Sequence, residues 1–171
     1  MMAAQETPKL THSVVRLAVA EDAATIAAMS REYIEHGLPW SWVPQRVARA
    51  IANRDTNVAV IGEPGALAAF GIMSYRGNDA HLLLFAVHRR HRRQGVGSTL
   101  LQWLEDVART AGCQRIRVEA RWDNAAARSF YNEHGYHERT IRTAMYSGVL
   151  DGVLLEKWLR LQEGPPNDPA G

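Results

Sequence analysis

The sequence predicts one α/β domain whose central sheet is mixed and mostly antiparallel, with helices on both faces. Three apolar runs separated by turn segments follow one another before residue 88, which predicts a meander of antiparallel strands. After residue 88 the pattern alternates between helix and strand, and a strand–helix–strand unit requires a parallel pair. The chain has 171 residues and is 46% hydrophobic, which is enough for one folded domain with its own core.

The first half of the chain is predicted to form a strand, two helices and the meander. Apolar residues recur at helical spacing after residue 21, and Pro44 suits the first turn of a second helix. The segments GEPG and RGND have turn composition and separate the meander strands. The predicted elements are a strand over residues 14–18, helices from residue 21 and over 44–53, and strands over 57–61, 66–74 and 80–87.

The second half is predicted to form two helices and three strands. A helix begins after Gly95 and ends at Gly112, and a shorter helix over residues 124–134 ends at Gly135, where glycine suits a left-handed cap. Strands are predicted over residues 115–120, 136–148 and 153–161. The strand over 115–120 is therefore the parallel neighbour of the last meander strand.

Composition and charge give no reason to expect a nucleic-acid or membrane partner. The net charge is only +2 and the sequence pI is near 8.9. Cys113 is the single cysteine, so no internal disulfide forms and a cytoplasmic location is expected. No apolar run approaches the roughly 18 residues of a membrane span, and the N-terminus has no secretory pattern. Polar segments over residues 1–12 and 162–171 are predicted to be flexible tails around a domain at 13–161.

A cluster of arginines, HRRHRRQGVG, lies directly before the long helix. The unpaired N–H groups of a helix N-terminus and the small glycines Gly95 and Gly97 predict an anion site here. The nucleoside-triphosphate loop is excluded because no lysine follows Gly97, and the dinucleotide fingerprint is excluded because Leu100 replaces its third glycine. On charge alone, a solvated basic loop and a nucleic-acid patch remain alternatives.

The segment VHRRHRRQGVGSTLLQWL resembles the acetyl-CoA binding motif of the GNAT family of N-acetyltransferases, in which a strand-ending valine precedes Arg/Gln-x-x-Gly-x-Gly/Ala and a helix. Downstream, NAAARSFYNEHGY resembles the second signature of the same family. The resemblance extends over residues 14–161, and it departs at Arg89, where many members carry proline. The matching positions are Arg92, Gly95 and Gly97, then Asn124, Ala127, Tyr131, Gly135 and Tyr136.

The resemblance implies that acetyl-CoA binds at this turn as the acyl donor. In the family the pyrophosphate lies on the glycine turn, and the pantetheine arm runs along the preceding strand. Asn124 would contact the arm, besides its alternative role as the N-cap of a helix. The 3′-phosphate is expected near Arg89, Arg90 or Arg93. The residues implied for the coenzyme are Phe85, Ala86, Val87, Arg92, Arg93, Gln94, Gly95, Val96, Gly97, Ser98, Asn124, Ala127 and Tyr131.

Acetyl transfer from a thioester to an amine needs a neutral amine, a polarised carbonyl and a proton for the leaving thiolate. An alkylamine has a pKa of about 10.4, so a base or a water chain must take a proton at neutral pH. The resemblance implies that Tyr131 gives the proton to the thiolate, although its helical spacing also suits core packing. It further implies that a backbone N–H of the splayed parallel pair, here that of Val87, meets the carbonyl oxygen.

Two residues are candidates for the base. His81 lies six residues before Val87, and strand alternation predicts that both share one face with the odd-numbered residues between them. The segment HLLLFAVHRRHRRQGVGS also resembles arylalkylamine N-acetyltransferases, which carry a histidine at this place. Glu119 on the next strand is the alternative base, unless it forms a salt bridge with Arg117 or Arg121.

Other kinds of site fit the sequence less well. Cys113 has no evident histidine partner, so direct attack by the amine is predicted rather than an acyl-enzyme. His88 and His91 fall in the coenzyme loop, and no metal is predicted because no ligand set is evident. The cluster HRRHRR lacks the interleaved aromatics of a nucleic-acid module. A coenzyme-binding regulatory module without turnover is the other alternative.

The sequence leaves the amine acceptor open among small amines, amino acids, peptide N-termini and protein lysines. Trp40 and Trp42, in EHGLPWSWVPQ between the first two helices, either wall an acceptor pocket or cap the core. The segment MYSGVLDGVLLEKWL resembles bacterial members that acetylate small amines or amino acids. A homodimer is an open alternative to a monomer.

Overall fold

One seven-stranded sheet runs through the computed structural model, which describes residues 14–146, 148 and 150–159. The strands are β1 (Val15–Leu17), β2 (Thr56–Glu63), β3 (Ala66–Arg76), β4 (Asp79–Val87), β5 (Arg115–Arg121), β6 (His137–Tyr146) and β7 (Leu150–Trp158). They lie in the order β1-β2-β3-β4-β5-β7-β6. Among these neighbours β4 and β5 are parallel, and the other five pairs are antiparallel.

Four α-helices and two short 3₁₀ turns connect the strands. They are α1 (Ala23–Tyr33), α2 (Pro44–Ala52), α3 (Val96–Thr110) and α4 (Ala125–Glu133), with turns at Ala20–Asp22 and Arg89–His91. The predicted mixed α/β class is confirmed, and each predicted helix and strand is present. The last strand begins at Leu150, three residues before its predicted start, because Leu150 pairs with Tyr146 directly after the turn. The predicted flexible tails lie outside the described residues.

The sheet separates two apolar clusters. On one face, α3 and α4 cover a cluster that includes Leu100, Leu104 and Ile116. On the other face, α1 and α2 cover a cluster that includes Ile26 and Phe70. The second cluster draws its strand residues from β2, β3 and β4 and, within the described chain, from none of β5, β6 and β7. On the α1/α2 side, half of the sheet therefore presents its side chains without helices above them; we call this half the acceptor face.

A β-bulge at Leu83 divides β4 into two halves. Ile72 pairs with Leu84 and Met73 with Leu82, so Leu83 has no partner on β3. Because one extra residue reverses the alternation, the side chains of Leu82 and of Phe85 both face α3. The prediction that His81 and Val87 share one face is therefore wrong, and His81 lies on the acceptor face. Pairing between β4 and β5 also ends beside the bulge, at Leu82 and Val118.

The connection between α1 and α2 is held by the buried carboxylate of Glu35. It accepts hydrogen bonds from Ser30 Oγ at 2.8 Å, from Ser41 N and Oγ at 2.8 and 2.6 Å, and from Trp42 N at 3.3 Å. Glu35 is 8% exposed, so water cannot replace this acceptor for every donor. One side chain therefore determines the conformation of the loop that borders the acceptor face.

We expect Glu35→Ala to lower the free energy of unfolding by about 3 kcal/mol, since it leaves buried donors without an acceptor. Urea unfolding followed by circular dichroism measures the change. Glu32→Ala is the matched control, because Glu32 is an exposed glutamate near the end of α1, three residues before Glu35. Equal stabilities of the two variants would contradict the role given to Glu35.

Candidate active site

The turn between β4 and α3 presents backbone N–H groups to solvent. Gly95 is the N-cap of α3 and adopts φ 76°, a left-handed conformation that favours glycine. The first N–H groups of an α-helix have no acceptor within the helix and carry partial positive charge. Four arginines, at positions 89, 90, 92 and 93, precede these groups along the chain. The predicted anion site is therefore a helix N-terminus with arginines beside it.

Gly97 allows α3 to approach β4 and α4 closely. A Cβ atom at this position would lie 3.1 Å from Val87 Cγ2 and 3.4 Å from Phe130 Cε2. Gly97 is buried. The sequence predicted only that glycine exposes the backbone here, whereas the structure adds that the contact between three elements depends on it.

The arginines of the turn differ in their contacts. Arg92 Nε donates to Val87 O at 3.3 Å, and the Arg92 guanidinium lies 5.0 Å above the Tyr33 ring at the end of α1. Arg93 has φ 62°, a left-handed conformation that strains a residue with a side chain. Gln94 Nε2 donates to Arg90 O at 3.3 Å. Arg92 therefore connects the turn to the α1 helix.

Ser98 and His134 form a pair at the N-terminus of α3 that the sequence did not predict. Ser98 Oγ lies 2.8 Å from His134 Nε2, and His134 Nδ1 lies 2.7 Å from Phe130 O. A carbonyl oxygen only accepts, so Nδ1 carries the hydrogen and, in the neutral ring, Nε2 accepts from the Ser98 hydroxyl. The sequence signal for the position of His134 was that it follows Phe130 by four residues, the spacing of neighbours on one side of a helix.

β4 and α4 pack against each other through aromatic rings beside the point where β4 loses its pairing with β5. The Phe85 and Phe130 rings stack with centroids 5.6 Å apart. His88 N donates to Ala68 O on β3 at 2.7 Å, so alternation turns the N–H and C=O of Val87 to the opposite side, where β4 has no strand neighbour. Asn124 Oδ1 accepts from Ala127 N at 3.0 Å, which confirms its alternative role as N-cap of α4.

Tyr131 and Tyr146 meet where β4 and β5 separate. Tyr131 is 5% exposed, and its hydroxyl forms no hydrogen bond with the described residues. Burial raises the pKa of Tyr131 above its ordinary value, and the nearby Tyr146 hydroxyl raises it further. Burial, followed by the Glu119 carboxylate, raises the pKa of Tyr146 to about 12. Both hydroxyls therefore keep their protons at neutral pH.

His81 and Glu119 lie on neighbouring strands of the acceptor face. Burial lowers the pKa of His81 below its ordinary value, while Glu119 opposes this shift and Arg117 adds to it. The salt bridge considered for Glu119 is not formed within the described chain. Arg121 instead binds Asp123 at 3.1 Å and His36 O at 2.8 Å. Neutral His81 and ionisable Glu119 are thus both available to accept a proton.

Gly152 positions the Tyr146 ring over β7. A Cβ atom at Gly152 would contact the Met145 side chain and would lie 3.0 Å from Tyr146 Cε2. Gly152 pairs with Arg121 on β5, so the Tyr146 ring lies beside the strand that carries Glu119. Tyr146 was missed by the sequence prediction. The signal that could have found it is a glycine inside a strand, which marks a close approach.

Trp40, Trp42 and Cys113, which the sequence also singled out, are packed into the protein. Trp40 and Trp42 pack against the second apolar cluster, and Trp40 Nε1 donates to Ala27 O at 3.2 Å, so the core-capping alternative is confirmed. Cys113 is buried in the turn between α3 and β5. Among the described residues, no three His, Cys, Asp or Glu side chains form a group that could hold a metal ion. No helix in this part of the chain is long and apolar enough to cross a membrane.

Comparison with known proteins identifies a family and a sequence relative. A family model described as the acetyltransferase (GNAT) family matches residues 18–136. The chain is 34% identical over 132 residues to the [ribosomal protein bS18]-alanine N-acetyltransferase of Escherichia coli K12, covering 75% of this chain and 87% of that protein.

Two solved structures of acetyltransferases superpose on this chain. The ribosomal-protein-S18-alanine N-acetyltransferase from Escherichia coli superposes with a TM-score of 0.72 at 27% identity, over 91% of this chain and 98% of that one. The Salmonella typhimurium protein yncA, solved with its cofactor acetyl-CoA, gives a TM-score of 0.73 at 21% identity, over 92% and 99%. This second likeness shows the fold alone.

Proposed function

The chain belongs to the GNAT family of acetyltransferases, and from that premise we propose that it acetylates the amino terminus of a protein or peptide. As a member it is an N-acetyltransferase with acetyl-CoA as donor. One observation carries the choice of acceptor: the apolar cluster under α1 and α2 takes no residue from β5 or β7, so no described helix packs its apolar side there and an extended chain could lie across this face with its amine at Glu119 and His81. The relative named above acts on the alanine terminus of a protein.

The turn from Arg92 to Ser98 would hold the coenzyme pyrophosphate. The N-terminal N–H groups of α3 supply donors for an anion, and the absence of a side chain at Gly97 lets this helix end lie close against Val87 and Phe130. The arm would lie along Phe85–Val87 and beside α4, where the outward N–H of Val87 is available to the thioester carbonyl. Bound acetyl-CoA supplies an activated acetyl group, and the protein's part is to orient it.

The protein's titratable side chains would move two protons. A terminal α-amine has a pKa of about 7.7–8.0, so it loses its proton far more readily than a lysine side chain with a pKa of about 10.4. His81 or Glu119 would accept the proton that the nitrogen of the neutral amine sheds as it attacks the thioester. Tyr131, which keeps its own proton at neutral pH, would donate it to the departing sulfur.

A thiol-release assay with acetyl-CoA tests the proposed acceptor. We expect turnover with an unblocked peptide that begins with alanine, and none with the same peptide acetylated at its terminus. Free alanine and a blocked peptide with one lysine test the amino-acid and side-chain alternatives. Mass spectrometry locates the acetyl group. Equal rates for the lysine peptide and the alanine peptide would overturn the proposal.

The pH dependence of kcat/KM distinguishes the two bases. A base must be deprotonated to act. Because the pKa of His81 is lowered, a kcat/KM that depends on His81 as base falls only below about pH 6.5. If a neutral amine attacks and neutral His81 takes the proton that its nitrogen then sheds, both groups must already have lost a proton, so log kcat/KM rises with a slope of two below this pH. His81→Gln is then expected to lower kcat/KM by about 100-fold and to reduce this slope to one.

Glu119→Gln is the companion variant for this measurement. A slope of two that persists in His81→Gln would contradict a role for His81 as base. A large loss in Glu119→Gln with little change in His81→Gln would assign proton removal to Glu119 instead.

A further inference from the structure

Arg117 is a half-buried cation on the acceptor face whose guanidinium forms no hydrogen bond or salt bridge with any described residue. Glu156 lies opposite Arg117 in the β5–β7 ladder, yet its two oxygens bind Arg139 at 2.8 Å and Arg115 at 3.2 Å. Asp79 binds Arg115 at 2.7 Å. Asp79 and Glu156 are therefore engaged by other arginines, and Glu119, two residues along the same face, forms no salt bridge with Arg117 among the described residues.

Arg117 also lies close to the proposed reaction centre. It pairs with His81 across the parallel β4–β5 ladder, one step before the last pair at Leu82 and Val118. Glu119 is two residues further along the same face of β5, which is about 6.6 Å at 3.3 Å per residue. An amine at Glu119 would thus leave the neighbouring part of the acceptor within reach of Arg117.

We propose that Arg117 binds a carboxylate of the acceptor, so that the preferred acceptors are peptides with aspartate or glutamate at the second position. The inference rests on the proposed function, because it assumes a peptide amino terminus at Glu119 and His81. In an extended peptide the side chain of the second residue lies one to two strand steps from the terminal amine, which matches the separation of Arg117 from Glu119.

The charges of the surrounding groups support an acidic ligand. Arg115 and Arg139 are neutralised by Asp79 and Glu156, which leaves the charge of Arg117 without a counter-ion in contact. A guanidinium binds a carboxylate through two parallel hydrogen bonds, and such charge-assisted bonds are stronger than neutral ones. A basic second residue would instead be repelled. We expect a preference of about 10- to 100-fold in kcat/KM for an acidic second residue over its amide.

Three peptides that begin Ala-Glu, Ala-Gln and Ala-Lys and are otherwise identical test this inference. In the unmodified enzyme we expect kcat/KM to fall in that order. Arg117→Gln should remove the difference between the Glu and Gln peptides, and Arg117→Glu should favour the Lys peptide. Arg117→Lys keeps the charge and should retain part of the preference, and Arg54→Gln, an exposed arginine between α2 and β2, should retain all of it.

The results distinguish a wrong role for Arg117 from a wrong proposed function. An Ala-Glu peptide that is no better than Ala-Gln, or a preference that survives in Arg117→Gln, would overturn the role of Arg117 while leaving the proposed function intact. Failure of every variant to acetylate any peptide would instead contradict the proposed function, and this inference with it. Circular dichroism of the variants separates a loss of specificity from a loss of folding.

Discussion

Replacement of Tyr131 by phenylalanine is expected to lower kcat by about 100- to 1000-fold, with little change in the KM for acetyl-CoA. Phenylalanine keeps the ring contacts with Phe85, Phe130 and Tyr136. It removes only a hydroxyl that makes no hydrogen bond within the described chain and that stays protonated because burial raises its pKa. The folded state therefore loses little stability, whereas the departing sulfur loses its proton donor.

Tyr136→Phe is the matched control for this experiment. The Tyr136 hydroxyl is also buried and has no hydrogen-bond partner among the described residues, and its ring packs against Tyr131. It lies near Glu105 and Lys157, away from the acceptor face. Steady-state kinetics should show near-normal kcat for Tyr136→Phe. Full activity in Tyr131→Phe, or an equal loss in both variants, would refute the donor role.

Gly97→Glu is expected to weaken acetyl-CoA binding by at least about 100-fold, since a like charge beside the pyrophosphate adds to the steric cost. The new side chain would begin 3.1 Å from Val87 Cγ2 and so would push α3 away from β4. It would also add a negative charge to the first turn of α3, close to the N–H groups proposed to hold the pyrophosphate. Isothermal titration with acetyl-CoA measures the dissociation constant.

Gly112→Ala provides the control for lost stability. Gly112 has φ 86° and ends α3 at the opposite end from the turn, so alanine there strains the backbone without approaching the coenzyme. We expect a lower melting temperature and an unchanged dissociation constant. If Gly97→Glu also binds acetyl-CoA normally, the turn is not the pyrophosphate site.

The order of the elements was predictable because apolar spacing and turn residues act locally. The run over residues 80–87 predicted a strand, and the glycines at 95 and 97 predicted the turn, from chemistry that each short segment contains. Asn124 was predicted as an N-cap for the same reason, and the structure confirms it.

The features that the sequence did not predict depend on partners far along the chain. The segment HLLLFAV has the same composition with or without a bulge, and Leu83 is displaced only because of how β3 pairs with it. Tyr146 is positioned by Gly152 on the next strand. Arg117 lacks a counter-ion because Arg115 and Arg139 compete for Glu156. Such competition among side chains from three strands leaves no signal in a single segment.

The bulge at Leu83 has a consequence for how this enzyme can diverge. His81, before the bulge, faces the proposed amine site, and Phe85 and Val87, after it, face the side of the proposed coenzyme arm, so under this proposal one strand serves two substrates through separate halves. Substitutions near His81 can then alter which amine is accepted while Phe85–Val87 continue to hold the same donor. A lineage with this strand can change what it modifies without rebuilding how it obtains the acetyl group.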